Sequence, residues 1–76
     1  MDIREFEKKI RKDKLLQLRV MASMGKDWER FDELLVKLTR NELSGSEFNE
    51  LYALIEKLKA NNLDDPDIKA IETYRQ

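Results

Sequence analysis

Apolar residues recur every three or four positions along most of the chain, which is the spacing of one face of an α-helix. No segment alternates apolar and polar residues with a period of two, the pattern of a half-buried strand. Glycine occurs twice and proline once, near the ends of the periodic segments. The pattern therefore predicts an all-α fold. We expect a small three- to four-helix bundle built on an antiparallel helical hairpin, in a single domain over residues 1–76.

The first predicted helix runs from about residue 2 to about residue 24, and Gly25 ends it. Its apolar residues share one face in two groups, separated by a polar interruption at Asp13, Lys14 and Gln17. The members of this face are Ile3, Phe6, Ile10, Val20, Met21 and Met24.

A second apolar face follows the C-terminal half of the same helix and consists of Leu15, Leu18 and Ala22. Two interpretations account for the interruption and for the second face. Either the helix bends near residues 12–14, or its C-terminal half is covered on two sides. In so short a chain, cover on two sides favours a binding partner.

The second predicted helix (about residues 27–40) and the third (about residues 45–60) carry apolar stripes of identical spacing. Asp27 is expected to cap the second helix with its carboxylate. Ser44 and Glu47 have the spacing of a capping box at the start of the third. The stripes consist of Trp28, Phe31, Leu35 and Leu38 in the second helix and Phe48, Leu51, Ile55 and Leu58 in the third. Their short connection predicts an antiparallel hairpin.

A fourth helix is predicted from about residue 65 to about residue 75. Asp64 or Asp65 is expected to cap it, and Pro66 lies in its first turn, where the missing N–H is harmless. Its inward-facing residues are predicted to be Ile68, Ile71 and Tyr74. The acidic residues at its start interact favourably with the helix dipole and lack the spacing of a calcium loop, so no metal site is predicted.

The 76 residues include no His and no Cys. This composition excludes disulfide frameworks, Cys/His zinc sites and thiol nucleophiles, and it leaves the Ser and Thr hydroxyls without an imidazole base. We therefore expect no catalytic, cofactor-binding or metal-binding residues, and a protein that is not an enzyme. Neither a signal peptide nor a membrane span fits the sequence, so the cytoplasm is the expected location, without membrane contact.

Charge is distributed unevenly, although the net charge is only −1. Residues 1–40 carry 11 Lys and Arg against 8 Asp and Glu, whereas residues 41–76 carry 4 against 8. The positive charge is concentrated in a basic run of the first helix: Lys8, Lys9, Arg11, Lys12 and Lys14. The run is interpreted as a solvated helix face, as a contact for an acidic protein, or as a contact for nucleic-acid phosphates without base recognition.

The residues on either side of Gly25 are candidates for a protein interface. Val20, Met21 and Met24 form an apolar patch, and methionine side chains adapt to irregular partners. Trp28 begins the next helix, where part of its ring can remain exposed as an interface anchor. For all four residues the alternative is a place in the core.

The helix boundaries are similar to those of a known family. Asn41-Glu42-Leu43-Ser44 precedes Glu47, and Asn62-Leu63-Asp64 precedes Pro66 and a short last helix. From the second helix onward this arrangement resembles the Hha/YmoA family of nucleoid modulators. The family's charged motif in the third helix, which includes an Asp-His-Arg run, is absent, and Ala53-Leu54-Ile55-Glu56 stands in that region. The resemblance implies a small protein that modulates a DNA-binding partner without reading sequence itself.

Together these features predict a non-enzymatic helical protein that binds another protein and modulates it, as an adaptor, inhibitor or regulator, for example from a phage or a mobile element. The alternative is a nucleic-acid-associated regulator, which is Hha-like or contacts phosphates through the basic run. A homodimer through the first helix is compatible with either function. So small a domain, without metal or disulfide, gains stability from such oligomerisation.

Overall fold

Residues 1–72, which the computed structural model describes, form five α-helices and no strand. A single turn of 3₁₀ helix, Gly25–Asp27, joins the second helix to the third. The predicted all-α fold, a small helical bundle, is confirmed. The helices are α1 (Ile3–Lys12), α2 (Lys14–Met24), α3 (Trp28–Thr39), α4 (Gly45–Ala60) and α5 (Pro66–Lys69).

The first predicted helix is two helices, because Asp13 interrupts it with extended backbone (φ −105°, ψ 97°). The N–H of Asp13 donates to the carbonyl of Lys9 and closes α1, while its carboxylate accepts from the N–H of Leu16 at 3.1 Å and caps α2. One continuous helix over residues 2–24 was therefore the wrong prediction. The alternative, a bend near residues 12–14, is confirmed.

The two helices of the hairpin, α3 and α4, begin and end within one residue of the predicted bounds. Asn41 takes the left-handed conformation (φ 57°) in the connection, which a short polar side chain tolerates. Ser44 and Glu47 form the predicted capping box: the N–H of Glu47 donates to Ser44 Oγ at 3.2 Å, and the N–H of Ser44 donates to Glu47 Oε1 at 3.1 Å.

The start of α3 differs from the prediction, since the Asp27 side chain accepts no capping hydrogen bond. Asp27 lies in the 3₁₀ turn with helical backbone angles (φ −76°, ψ −12°), whereas an N-cap residue normally has extended backbone. Its carboxylate instead accepts from Lys57 Nζ of α4 at 2.9 Å. The turn therefore enters α3 without a side-chain cap.

The last helix is shorter than the predicted range of about 65–75 and ends at Lys69. Asp65 caps it, accepting from the N–H groups of Asp67 and Ile68 at 3.0 and 3.3 Å. Beyond α5 the backbone bonds to the start of the chain rather than to a further helical turn: Glu72 N–H donates to the Met1 carbonyl at 2.8 Å. The predicted inward side chain of Tyr74 lies outside the described residues.

All five helices contribute to one core. The predicted stripes of α3 and α4 are buried in it, except for their first residues, Trp28 and Phe48, which are half-buried and pack against it. The largest fully buried side chains are Phe6 and Ile10 of α1, Leu16 and Val20 of α2, Phe31, Leu34 and Leu35 of α3, Leu51, Ile55 and Leu58 of α4, Ile68 of α5 and the following Ile71.

Charged side chains link α3 to α4 beside the core. Arg30 donates to both carboxylate oxygens of Glu50, at 2.6 and 2.9 Å, and Lys37 Nζ donates to Glu47 at 2.5 Å. The two-bond geometry of the arginine pair is the stronger kind of ion pair. These contacts add to the hydrophobic packing that holds the hairpin together.

Acid is expected to weaken the link between α3 and α4. The folded-state pKa of Glu47 is about 2, against an ordinary value of 4.5, because Lys37 donates a hydrogen bond to its carboxylate and the N–H of Ser44 donates another. A lowered folded-state pKa means that the ionised carboxylate stabilises the fold above its unfolded pKa, and that this stabilisation is lost as the pH falls toward about 2. Glu47→Gln should therefore lose less stability than the wild type between about pH 5 and pH 2, measured by urea unfolding.

Glu56→Gln is the matched control for this experiment. Glu56 lies on the same helix, is exposed, and forms no ion pair within residues 1–72. Its variant should reproduce the acid dependence of the wild type. If Glu47→Gln did the same, the contacts of Glu47 with Lys37 and Ser44 would make no contribution to folding in solution.

Candidate protein-interaction surface

Helix α2 carries apolar residues on two faces, only one of which is buried. Leu16, Val20 and Met24 point into the core, where α2 packs against α1, α3 and α4. The opposite side, here called the α2 outer face, consists of Leu15, Leu18, Met21 and Ala22, all of which are exposed. Leu15 retains 71% of its accessible surface, Leu18 58% and Met21 36%.

The break at Asp13 determines which residues form each face. In one continuous helix, Met21 would share a face with Phe6 and Ile10 of the core. The extended backbone at Asp13 lets α2 take its own orientation, so that Leu16 becomes buried and Met21 does not. Leu15, Leu18 and Ala22 are spaced by three and four residues, so they form a single stripe along the exposed side.

Of the four predicted interface residues around Gly25, two are buried in the core and two are at least partly exposed. Val20 is fully buried and Met24 nearly so, so their prediction as interface residues is corrected: both are core residues. Met21 is exposed on the α2 outer face. Trp28 is half-buried against the core, its ring centroid 6.2 Å from that of Phe31, and part of the indole remains accessible.

The sequence pattern placed Leu15 and Leu18 on a second apolar face, but the predicted interface did not include them. Both are more exposed than Met21. The spacing of Leu15, Leu18 and Ala22 by three and four residues is the feature of the sequence that could have indicated this second apolar face. Leu63, in the turn between α4 and α5, is also exposed (68%), although no pattern of apolar residues predicts its exposure.

The basic run does not form one surface. Lys9 pairs with Asp67 at 2.6 Å, and Arg11 pairs with Glu7 at 3.0 Å and Asp32 at 2.5 Å. These two residues therefore form ion pairs within the fold, and their role as contacts for an anionic partner stays a prediction. The residues of the run that are exposed and form no ion pair within residues 1–72 are Lys8, Lys12 and Lys14.

Exposed lysines without an ion pair in residues 1–72 lie at both ends of α2. No acidic residue occurs in α2. Lys14 is its first residue, and Lys26 follows its last turn; both are exposed and form no ion pair in the described part of the chain. Arg19, on the flank of the face, is neutralised by Asp65 at 2.8 Å and by Asp67 at 3.1 Å.

An open groove of about 500 Å³ lies on this same flank, lined by Arg19 and residues 61–67. Asn62 fixes the loop to α2: its side-chain amide donates to Ser23 Oγ at 2.6 Å and to the Leu58 carbonyl at 2.7 Å. The exposed Leu63 is part of the groove lining. The groove therefore extends the accessible surface beside α2.

Two serine hydroxyls in residues 1–72 form hydrogen bonds that support the fold. Ser44 caps α4, and Ser23 is bonded to Asn62. No group of three or more acidic residues within this part of the chain is arranged to hold a metal ion. None of its helices has the length and apolar character needed to cross a membrane.

Comparison with known proteins finds no matching family model, no matching curated protein and no matching solved structure. None of these comparisons therefore supports the resemblance to the Hha/YmoA family, which rests on the helix-boundary residues alone.

Proposed function

We propose that the protein is a non-enzymatic helical interaction module, which binds another protein through the α2 outer face and modulates it. The observation that supports this most is the exposure of Leu15 and Leu18 on one stripe of a helix whose other face is buried. Single exposed leucines are common on protein surfaces, but adjacent ones on one face are typical of interaction sites.

The nucleic-acid alternative has weaker support from the same surface. Two of the five basic residues on which it depended are paired inside the fold, leaving Lys8, Lys12 and Lys14. Each phosphate contact contributes separately to affinity, so three lysines provide only weak, salt-sensitive binding. Nucleic-acid binding is therefore an outcome to be tested against protein binding.

Leu18→Glu is expected to abolish partner binding without unfolding the protein, because the substitution places a charge in the centre of an exposed apolar stripe. A tagged wild-type protein and the variant are used for pull-downs from the source cells, with and without nuclease, followed by mass spectrometry. The wild type should recover one stoichiometric protein that survives nuclease, and Leu18→Glu should lose it.

Ala53→Glu is the matched control, since Ala53 is an exposed α4 residue and the substitution makes the same change in charge. It should retain the partner. Recovery that collapses with nuclease, and is insensitive to Leu18→Glu, would favour nucleic acid instead. A nuclease-resistant partner retained equally by both variants would place the binding surface elsewhere on the protein.

A further inference from the structure

We infer that the partner segment covering the α2 outer face is an amphipathic helix whose apolar residues are flanked by Asp or Glu. This inference rests on the proposed function and specifies the class of partner. It follows from the juxtaposition of an exposed leucine stripe with unpaired lysines at both of its ends.

Charge complementarity is the first step. Lys14 and Lys26 lie at opposite ends of the stripe, and neither has an acidic partner within residues 1–72. The neighbouring carboxylates are engaged within the fold: Asp13 accepts from the N–H of Leu16, Asp27 pairs with Lys57, and Asp65 and Asp67 pair with Arg19. Complementary potentials determine which partner an apolar patch accepts, so acidic flanks are favoured and basic flanks are repelled.

The same charges argue against a second copy of the chain. A two-fold dimer brings the same face of each copy together. Parallel α2 helices would place Lys14 against Lys14 and Lys26 against Lys26, and antiparallel helices would place Lys14 near Lys26 at both ends. Because α2 has no acidic residue, and the adjacent Asp13 and Asp27 already accept hydrogen bonds within the fold, both arrangements bring like charges together.

The shape of the surface favours a helix as the occupant. Its apolar residues follow the ridge spacing that packs into the grooves of another helix. Lys14 is the first residue of α2, and Lys26 lies two residues beyond its last residue, Met24; the 11 residues of α2 span about 16 Å along the helix axis. A partner helix of about three to four turns is therefore long enough to present an acidic residue to each lysine.

A selection from a library of helical peptides tests the inference directly. The full chain is the bait, and the library varies both apolar and charged positions over about four helical turns. The selected peptides should carry leucine-like residues with helical spacing and acidic flanks. A synthetic peptide with the selected sequence then serves as the probe, and its affinity is measured by fluorescence anisotropy.

Charge reversal at both ends of the stripe provides the decisive comparison. Lys14→Glu combined with Lys26→Glu should weaken binding of the acidic peptide by at least about tenfold. The same variant should gain binding to the peptide in which Lys replaces every flanking Asp and Glu. Arg40→Glu combined with Lys69→Glu makes the same change in net charge at exposed residues outside α2, and should leave the affinity unchanged.

The outcomes separate this inference from the proposed function. If Leu18→Glu abolishes peptide binding while reversal of Lys14 and Lys26 does not, the α2 outer face is the docking surface but the acidic class is wrong. Selected peptides that bind Leu18→Glu as well as the wild type would overturn both proposals, as would a selection that yields no Leu18-dependent binder.

Two further measurements exclude the other occupants. Sedimentation of the wild type should show a monomer at high micromolar concentration, and a dimer abolished by Leu18→Glu would make a second copy the occupant. Vesicles of phosphatidylcholine with phosphatidylglycerol should not bind. Vesicle binding lost in Leu18→Glu would identify an anionic lipid surface as the occupant, and would overturn the inference.

Discussion

Val20→Asp is expected to unfold the protein, whereas the same substitution at the neighbouring Met21 leaves it folded. Val20 is fully buried between the helices, while Met21 lies on the α2 outer face. A buried carboxylate without a partner costs more than about 4 kcal/mol. That cost is comparable to the whole stability of a domain this small, about 3–5 kcal/mol. Circular dichroism and urea unfolding should therefore separate two substitutions made one position apart.

Val20→Ala distinguishes a local defect from an unfolded chain. It removes two methyl groups without adding a charge, so the variant should remain folded with a moderately lower urea midpoint. Equal stability of Val20→Asp and Met21→Asp would mean that α2 is not packed through the face assigned to it. The leucine stripe would then not be a free surface, and the proposed function would lose its main support.

The hairpin could be predicted from the sequence because local and tertiary preferences agree there. The Phe31, Leu35 and Leu38 stripe of α3 and the Leu51, Ile55 and Leu58 stripe of α4 match one helical period throughout, and all six are buried. The Ser44 capping box also marks the start of α4 from residue types alone. In this region the pattern of apolar residues was sufficient to predict both helices and their buried faces.

The orientation of α2 could not be predicted in the same way. A single hydrogen-bonding residue, Asp13, closes one helix and caps the next, and its extended backbone changes which residues face the core. The sequence pattern allowed a bend there but did not give its angle. Leu16 therefore lies in the core and Met21 does not, because of a backbone conformation at Asp13 that the spacing of apolar residues does not predict.

The candidate site was only partly predictable, because residue types do not reveal tertiary partners. Lys9 and Lys12 are equivalent in the sequence pattern, yet Lys9 pairs with Asp67, 58 positions away. Arg11 likewise reaches Asp32 of α3. Which lysines remain available to a partner depends on these long-range pairs, and sequence spacing within the first helix carries no information about them.

Arg11→Met is expected to destabilise the fold by about 1–2 kcal/mol, whereas Lys12→Met changes it by less than about 0.5 kcal/mol. Arg11 Nε donates to Glu7, which is only 8% exposed. Its Nη2 lies 2.5 Å from Asp32 Oδ1. This oxygen is buried and accepts no well-aligned hydrogen bond within residues 1–72, so the ion pair with Arg11 offsets the cost of burying its charge. Lys12 is exposed at the end of α1 without an ion pair in that part of the chain.

Methionine retains most of the apolar stem of either side chain, so the comparison isolates the charged groups. Removing the guanidinium leaves two carboxylates with reduced solvation, one on α1 and one on α3, and urea unfolding measures the cost. Glu7→Gln combined with Asp32→Asn in the Arg11→Met background should restore part of the stability, because neither carboxylate then remains uncompensated. An Arg11→Met variant as stable as Lys12→Met would show that Arg11 is not needed by the fold. Arg11 would then be available to an anionic partner, as the basic run first indicated.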